Sequence, residues 1–404
     1  MSLLDKKFLK LGAEFAPGQE VRQTANEDEN LGEEIPGTPV DFSHGDVDAF
    51  EPIPGSLEHF VEGVHLGGKQ AYTEYRGSKE IRENVAEKLS VFTGTSINAD
   101  RNFIITPGTQ GALFLAMGST ISRGDKVAIV VPDYFANRKL VEFFDGEIFP
   151  IQMDYFNSDK SAGLDLTQLE DAFIAGVKLF LFSNPNNPTG VVYSQDEILG
   201  IANLAQEYGA TVIVDELYSR QIFDGQSYTH LCAQNIVDPE NVITILGPSK
   251  TESLSGYRLG VAFGSAKIIE RMEKLQAIVS LRAGGYSQAV LKSWFAEPEG
   301  WMTDRISQHQ AIRDNLISVL NDSGGFKVRT TEAGSYLFPK IVDLGVPINN
   351  FVKILRHRAA VIVTPGSEFG PQFTDSFRIN FSQDHTSAVS AMNRIVQLAK
   401  EYRK

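Results

Sequence analysis

Lys250 stands in Gly247-Pro248-Ser249-Lys250-Thr251, directly after an apolar run over residues 242–246, and Gly256-Tyr257-Arg258-Leu259-Gly260 follows it. An amine at the end of a buried strand loses hydration, which penalises its charged form. A lowered pKa suits an amine that must form a Schiff base. Arg258 can return to the same pocket as an anion ligand. On this segment alone, a surface loop lysine is an equal alternative. A second segment runs Thr211-Val212-Ile213-Val214-Asp215-Glu216-Leu217-Tyr218. An Asp at a strand tip can pair with a buried cation such as a protonated pyridine nitrogen, and Tyr218 can reach the same ligand. No His stands in the segment, which weighs against a metal there, and no metal site is expected in the chain. In the third, Ser183-Asn184-Pro185-Asn186-Asn187-Pro188-Thr189-Gly190, two prolines stiffen a turn whose amides can present donors. In the fourth, Thr106-Pro107-Gly108-Thr109-Gln110-Gly111, a helix opened by Gly108 would offer free N–H groups to a phosphate.

These segments need a scaffold that brings them together. Apolar runs at residues 103–106, 127–131, 179–182, 211–214, 242–246 and 259–263 are continuous rather than alternating. That pattern suits strands covered on both faces. Helical stretches between them predict a mostly parallel α/β sheet, with ligands outside the carboxyl ends of the strands. A helix is expected from Ser78, with Ile81, Val85, Leu89 and Phe92 on one face and Gly94 ending it. The first fifty residues are polar and turn-rich, with Pro17-Gly18 and Pro36-Gly37. They read as an N-terminal arm, residues 1–50, with one helix, packing on a small domain. Residues 51–300 are expected to form the large domain and 301–404 a small C-terminal α/β domain. The latter holds a helix over 306–320, strand-like pieces at 334–338 and 360–364, and a last helix over 386–402.

A chain of 404 residues suggests two domains sharing an interface. Its net charge of −14 disfavours nucleic acid and anionic membrane surfaces as partners. The excess acid reads as solubility, and the cluster Glu27, Asp28, Glu29, Glu33, Glu34 as a solvated arm or loop. No apolar run approaches membrane-spanning length, and the start lacks a signal-peptide pattern. With the single cysteine, Cys232, this makes a cytoplasmic location the expectation. Cys232 itself reads as buried and inert.

Taken together, the four segments resemble the aspartate aminotransferase family, the class I/II branch of the fold type I pyridoxal-phosphate enzymes. The resemblance runs from about Asp41 to Phe381. It implies pyridoxal 5′-phosphate as cofactor, Lys250 as its Schiff-base partner and proton shuttle, and Asp215 as partner of the pyridine nitrogen. It implies Tyr218 and Asn187 on the ring's phenolic oxygen, and Tyr134 stacked on the ring. Gly108, Thr109, Gln110, Ser249 and Arg258 would form the phosphate cradle, with Tyr72 reaching it from a second subunit of a homodimer. Arg378, in Phe377-Arg378-Ile379-Asn380-Phe381, would fork onto the substrate α-carboxylate. Gly45 would lie in the substrate-facing N-terminal loop, and Asn187 would also contact the substrate. Arg282 lies near where dicarboxylate-specific relatives carry an arginine for the distal carboxylate. Gly247 is a departure, since many relatives carry a serine ligand of the phosphate there. The implied reaction moves an amino group between an L-amino acid and a 2-oxo acid with ping-pong kinetics. The same scaffold also hosts pyridoxal-phosphate lyases and synthases, such as β-eliminating C–S lyases, and ligand-sensing modules without turnover. These readings stay open at this point.

Overall fold

The computed structural model describes residues 1–11, 32–158 and 160–404. The segment with Pro17-Gly18 and the acidic residues Glu27, Asp28 and Glu29 lies outside the described residues.

Strand β1 (Val40–Asp41) leads into a seven-stranded sheet of β2 (Phe103–Pro107), β3 (Lys126–Val131), β4 (Glu147–Gln152), β5 (Leu179–Ser183), β6 (Thr211–Asp215), β7 (Val242–Leu246) and β8 (Leu259–Gly264). Its order is β2-β8-β7-β6-β5-β3-β4. The neighbouring pairs from β7 to β4 run parallel, whereas β8 runs antiparallel to both β2 and β7. Six strands coincide with the continuous apolar runs of the sequence. Alternate residues serve opposite faces, as the twofold strand period requires. Ile129, Leu181, Ile213 and Ile245 meet the helices Gly108–Thr120 and Ala266–Val279. Val130, Phe180, Phe182 and Val214 meet Leu166–Ile174 and Gln195–Tyr208. Burial on both faces explains why these strands read as unbroken apolar runs.

The seventh strand, β4, had no such signal. It contains Pro150 and pairs only with β3, at the edge of the sheet. Proline is tolerated on an edge because no ladder donor is needed on the outer side. The helix expected from Ser78 spans Lys79–Thr93, and Gly94 ends it with a φ of 73°. Ser78 is the N-cap residue, but its side chain makes no capping bond.

The C-terminal part contains β9 (Phe326–Lys327), β10 (Tyr336–Leu337), β11 (Lys340–Ile341), β12 (Val361–Ile362), β13 (Thr364–Pro365) and β14 (Phe377–Asn380). Strand β14 lies between β10 and β13, antiparallel to both. β11 pairs with β9, and β12 with β1. Helices Trp301–Asp322, Ile348–Ala359 and His385–Tyr402 surround a core that also takes in Val40, Phe42 and Phe50. The helix Leu3–Leu9 lies elsewhere, against Phe135–Phe143, with Lys7 Nζ 4.6 Å from the Phe143 ring centre. Among the described residues, no helix is long and apolar enough to cross a membrane.

Candidate active site

Parallel strands deliver their carboxyl ends to one edge of a sheet. Here that edge collects the turns after β2, β3, β5, β6 and β7. The antiparallel β8 starts at the same edge, so the loop from β7 carries Arg258 back to it. These turns, Ser43 after β1 and three strands of the C-terminal part, β10, β13 and β14, enclose a cavity of about 490 Å³. Thr109, Gln110, Tyr134, Asn187, Asp215, Tyr218, Ser249, Lys250, Arg258 and Arg378 all line it. Gly45 lines an adjoining cavity of about 190 Å³ that shares Ser249 and Lys250 with the first.

Asp215 ends β6 and is 6% exposed. Its carboxylate accepts the Leu217 N–H at 3.1 Å and has no ion-pair partner among the described residues. Burial, with the neighbouring Glu216 adding to it, pushes its pKa up to about 7. A buried carboxyl held this way suits a cationic partner, because an opposite charge beside it favours its ionised form. Asp133 sits behind it. Its carboxylate accepts the backbone N–H of Ser183 at 3.1 Å and the Ser183 hydroxyl, and burial pushes its pKa up to about 7.

Arg378, on β14, is 5% exposed. Its Nη1 donates to Asn187 Oδ1 at 3.0 Å and its Nη2 to the Ser43 carbonyl at 2.9 Å, while the buried Nε has no partner. No carboxylate pairs with this guanidinium among the described residues. A buried Arg without an anion is costly unless a ligand supplies one. The bond to Asn187 also leaves that amide's nitrogen as a free donor.

Gly108 starts the helix Gly108–Thr120 with a φ of 77°, a region that disfavours side chains. A Cβ there would also lie 2.8 Å from Arg258 Nη2. Glycine therefore lets the guanidinium lie against the helix N-terminus, and the pair makes an anion-attracting corner. Arg258 Nη1 donates to the Ser255 carbonyl at 3.0 Å. The missing serine at Gly247 has a steric reason. A Cβ at that position would lie 2.8 Å from the Thr109 methyl and 3.1 Å from the Leu259 carbonyl oxygen. Thr109 has taken the space. Tyr134 presents its ring to the cavity and donates its hydroxyl to Gln110 Oε1 at 3.1 Å.

Three expected residues line neither cavity: Gly108, which lies behind Arg258, and Tyr72 and Arg282. Tyr72 is 82% exposed. Arg282 is held between aromatic rings, its guanidinium carbon 5.6 Å from the Tyr72 centroid and 5.5 Å from that of Tyr75. Conversely, Ser43, Tyr336 and Thr364 line the main cavity without having been singled out in the sequence. Ser43 stands two residues before Gly45, and Tyr336 and Thr364 lie in the strand-like pieces 334–338 and 360–364, but nothing local marks these side chains. Burial pushes the Cys232 thiol up to about 12, with Glu216 reinforcing it, which leaves it a poor nucleophile.

A family model described as aminotransferase class I and II matches residues 44–395. A solved aspartate aminotransferase from Rhodobacter sphaeroides is 62% identical, with a TM-score of 0.93 over 99% of this chain and 100% of that one. A solved alanine aminotransferase from Pyrococcus furiosus is 25% identical, with a TM-score of 0.86 over 98% of this chain and 99% of its own. A probable aspartate aminotransferase of Methanocaldococcus jannaschii is 25% identical over 357 residues, 86% of this chain and 91% of the relative. Among these named relatives, none is a lyase or a sensing module. The match spans both the sheet that carries Lys250 and the C-terminal strand that carries Arg378, so the chain belongs to the class I and II aminotransferases and is an enzyme of that kind.

Proposed function

We propose that this aminotransferase uses pyridoxal 5′-phosphate bound through Lys250 and takes aspartate as its amino donor, with a 2-oxo acid as acceptor. The observation that carries this reading is the convergence of Lys250, Asp215 and Arg378 on one cavity. The residues fit the cofactor by charge. Asp215 supplies a buried carboxylate for a protonated ring nitrogen. Arg258, Ser249 and the helix start at Gly108, Thr109 and Gln110 supply an anion cradle for the phosphate. Tyr134 offers a flat apolar face to the ring.

When bound, the cofactor supplies an electron-poor ring that accepts the electrons left on the substrate α-carbon as its proton departs. The rest falls to the chain. Arg378 holds the α-carboxylate, with its unmatched Nε as a further donor, and so orients the α-hydrogen. Lys250 holds the cofactor aldehyde. Once displaced, its amine would take the α-proton and deliver it to the cofactor's C4′. Tyr218 and Asn187 Nδ2 donate to the ring's phenolic oxygen. Gly45 bounds the substrate loop. Residues 51–300 serve as the cofactor-binding domain and 301–404 as the smaller domain that brings Arg378, with the arm of residues 1–50 preceding them.

Tyr72 and Arg282 fit this reading if two chains share their sites. Both lie near an apolar face that includes Leu57, Val61, Leu66, Ile278 and Leu281, with Ile278 81% exposed. Such a patch is what a homodimer interface buries. In the dimer, Tyr72 reaches the partner's phosphate and Arg282 the distal carboxylate of the substrate. The aspartate named for the Rhodobacter sphaeroides relative supports the same choice of donor. The single thiol is in keeping with a cytoplasmic site of action.

The test is an absorbance titration of the cofactor-loaded protein against a panel of amino acids. Aspartate should bleach the visible band, and a 2-oxo acid should restore it. Release of ammonia without an acceptor would replace this reading with a lyase. Arg282→Gln should lower turnover of aspartate and glutamate by roughly 10- to 100-fold, the worth of a charged hydrogen bond, and spare aromatic amino acids. Equal losses across the panel would remove Arg282 from the substrate site. Gly108→Ala should cost about 1 kcal/mol of stability through its positive φ. It should also weaken cofactor affinity by displacing Arg258, which urea melts and equilibrium dialysis will separate.

A further inference from the structure

Tyr336 occupies the main cavity, yet the reaction outlined above gives it no part. It lies on β10 and is 4% exposed. Its hydroxyl oxygen accepts the proton of the Tyr218 hydroxyl at 2.7 Å, and the two rings meet edge to face with centroids 5.3 Å apart. Arg378 covers its face, with the guanidinium carbon 4.4 Å from the ring centre. Arg378, Tyr336 and Tyr218 thus form a continuous chain. One end is where a carboxylate would meet the guanidinium. The other is the hydroxyl assigned to the ring's phenolic oxygen.

A phenol has one proton to give. While Tyr218 gives its proton to Tyr336, it has none for a bound ring. We propose that Tyr336 is a positioning residue that holds the proton of Tyr218 until a substrate carboxylate binds Arg378, and then yields it to the cofactor's phenolic oxygen. This rests on the pyridoxal-phosphate reading above and adds a step that couples substrate binding to the ring.

The charged and titratable groups facing Tyr336 are Arg378 on β14, Lys250 after β7, Tyr218 after β6 and Tyr134 after β3, with the amide of Asn380 beside them. Burial would push the Tyr336 hydroxyl up. The positive charges of Arg378 and Lys250, with the hydrogen bonds from Tyr218 and Asn380, outweigh that and hold it below the ordinary tyrosine range. Tyr218 is driven the other way by its burial and by Tyr336. Tyr336 is therefore the member of the pair that gives up its own proton first, and as an anion it is the stronger acceptor for Tyr218. A carboxylate on Arg378 offsets the charge above the ring. Tyr336 then holds its own proton more firmly and turns it toward Tyr218, and the Tyr218 proton is free to point at the ring oxygen.

Two measurements test this on the intact protein. In the cofactor-free wild type, ultraviolet tyrosinate absorbance should show one tyrosine ionising earlier than the rest, and succinate should move that midpoint upward by about one pH unit. Tyr336→Phe should lose the early transition. In the loaded protein, succinate should shift the pH midpoint of the visible band in the wild type, and Tyr336→Phe should bind cofactor but lose most of that shift. Persistence of the early tyrosinate in Tyr336→Phe, or an unchanged succinate shift, overturns the proposal while leaving the cofactor reading intact. Absence of an early tyrosinate in the wild type overturns it without any variant. Failure of both proteins to take up pyridoxal phosphate overturns both readings.

Discussion

Lys250→Ala should bind pyridoxal phosphate without a covalent bond and transaminate slower than wild type on the order of 10⁴-fold, the upper range for loss of a positioned proton-transfer group. Lys250 is half-buried, and its side chain makes no ion pair or hydrogen bond with the described residues. The turn that holds it is set by other contacts, such as the Leu254 N–H donating to the Pro248 carbonyl at 3.2 Å. Truncation should therefore leave the melting temperature close to that of the wild type, and the loss should be chemical. Borohydride reduction followed by peptide mapping checks the covalent claim, with label on Lys250 in the wild type and none in the variant. Single-turnover bleaching by aspartate checks the rate. A half-reaction within tenfold of wild type would move the proton-transfer role to another group.

The second large effect is expected at the far side of the ring. Asp215→Asn should keep the bond from Leu217 and the volume of the side chain, yet cut turnover by about 10²- to 10³-fold, as removal of a preorganised charge partner does. Asparagine gives the ring nitrogen no anion to hold its proton. A second signature lies in the cofactor-free protein. Its Asp215 pKa is raised from 3.8 to about 7, mainly by burial. Folded protein then keeps a proton that unfolded protein has released. This contribution to stability is complete below 3.8, falls as the pH rises, and is gone once the pH passes about 7. Thermal melts of the cofactor-free wild type should therefore decline across that window. Asp215→Asn should flatten the decline in part only, because Asp133 is also raised to about 7 and remains. Loading the wild type with cofactor should remove the Asp215 share, since a cationic ring nitrogen lets the carboxylate ionise. An unaltered pH profile in the variant would mean that Asp215 does not carry the proton.

Substrate preference depends on two separate sets of residues. The main cavity has Arg378 for a carboxylate common to every amino acid, so it has little to say about the side chain. Arg282 and Tyr72 lie outside that cavity, close to each other, and Tyr72 and Leu281 are exposed. Any role they have in choosing aspartate depends on a second chain, which is why the Arg282→Gln panel compares substrates rather than total activity.

The placement of the cavity-lining residues was legible in the sequence where it is local. Runs such as Thr211–Asp215 and Val242–Leu246 are apolar on both faces because helices cover both. The turn residues that follow them belong at the carboxyl edge by the geometry of a parallel sheet. Strand β4 escaped notice because an edge strand tolerates Pro150 and is covered less fully. The antiparallel direction of β8 escaped too, although it is what brings Arg258 back beside Gly108.

By itself, then, the sequence determined the strand cores and the side chains that stand directly after them, Asp215, Asn187 and Lys250 among them, because period and turn chemistry act over a few residues. Only the tertiary structure decided that Tyr336 meets Tyr218, that Ser43 and Asn187 share Arg378, and that Thr109 fills the space beside Gly247. All three contacts join residues more than a hundred positions apart. Packing, which no local pattern encodes, sets which atoms finally touch.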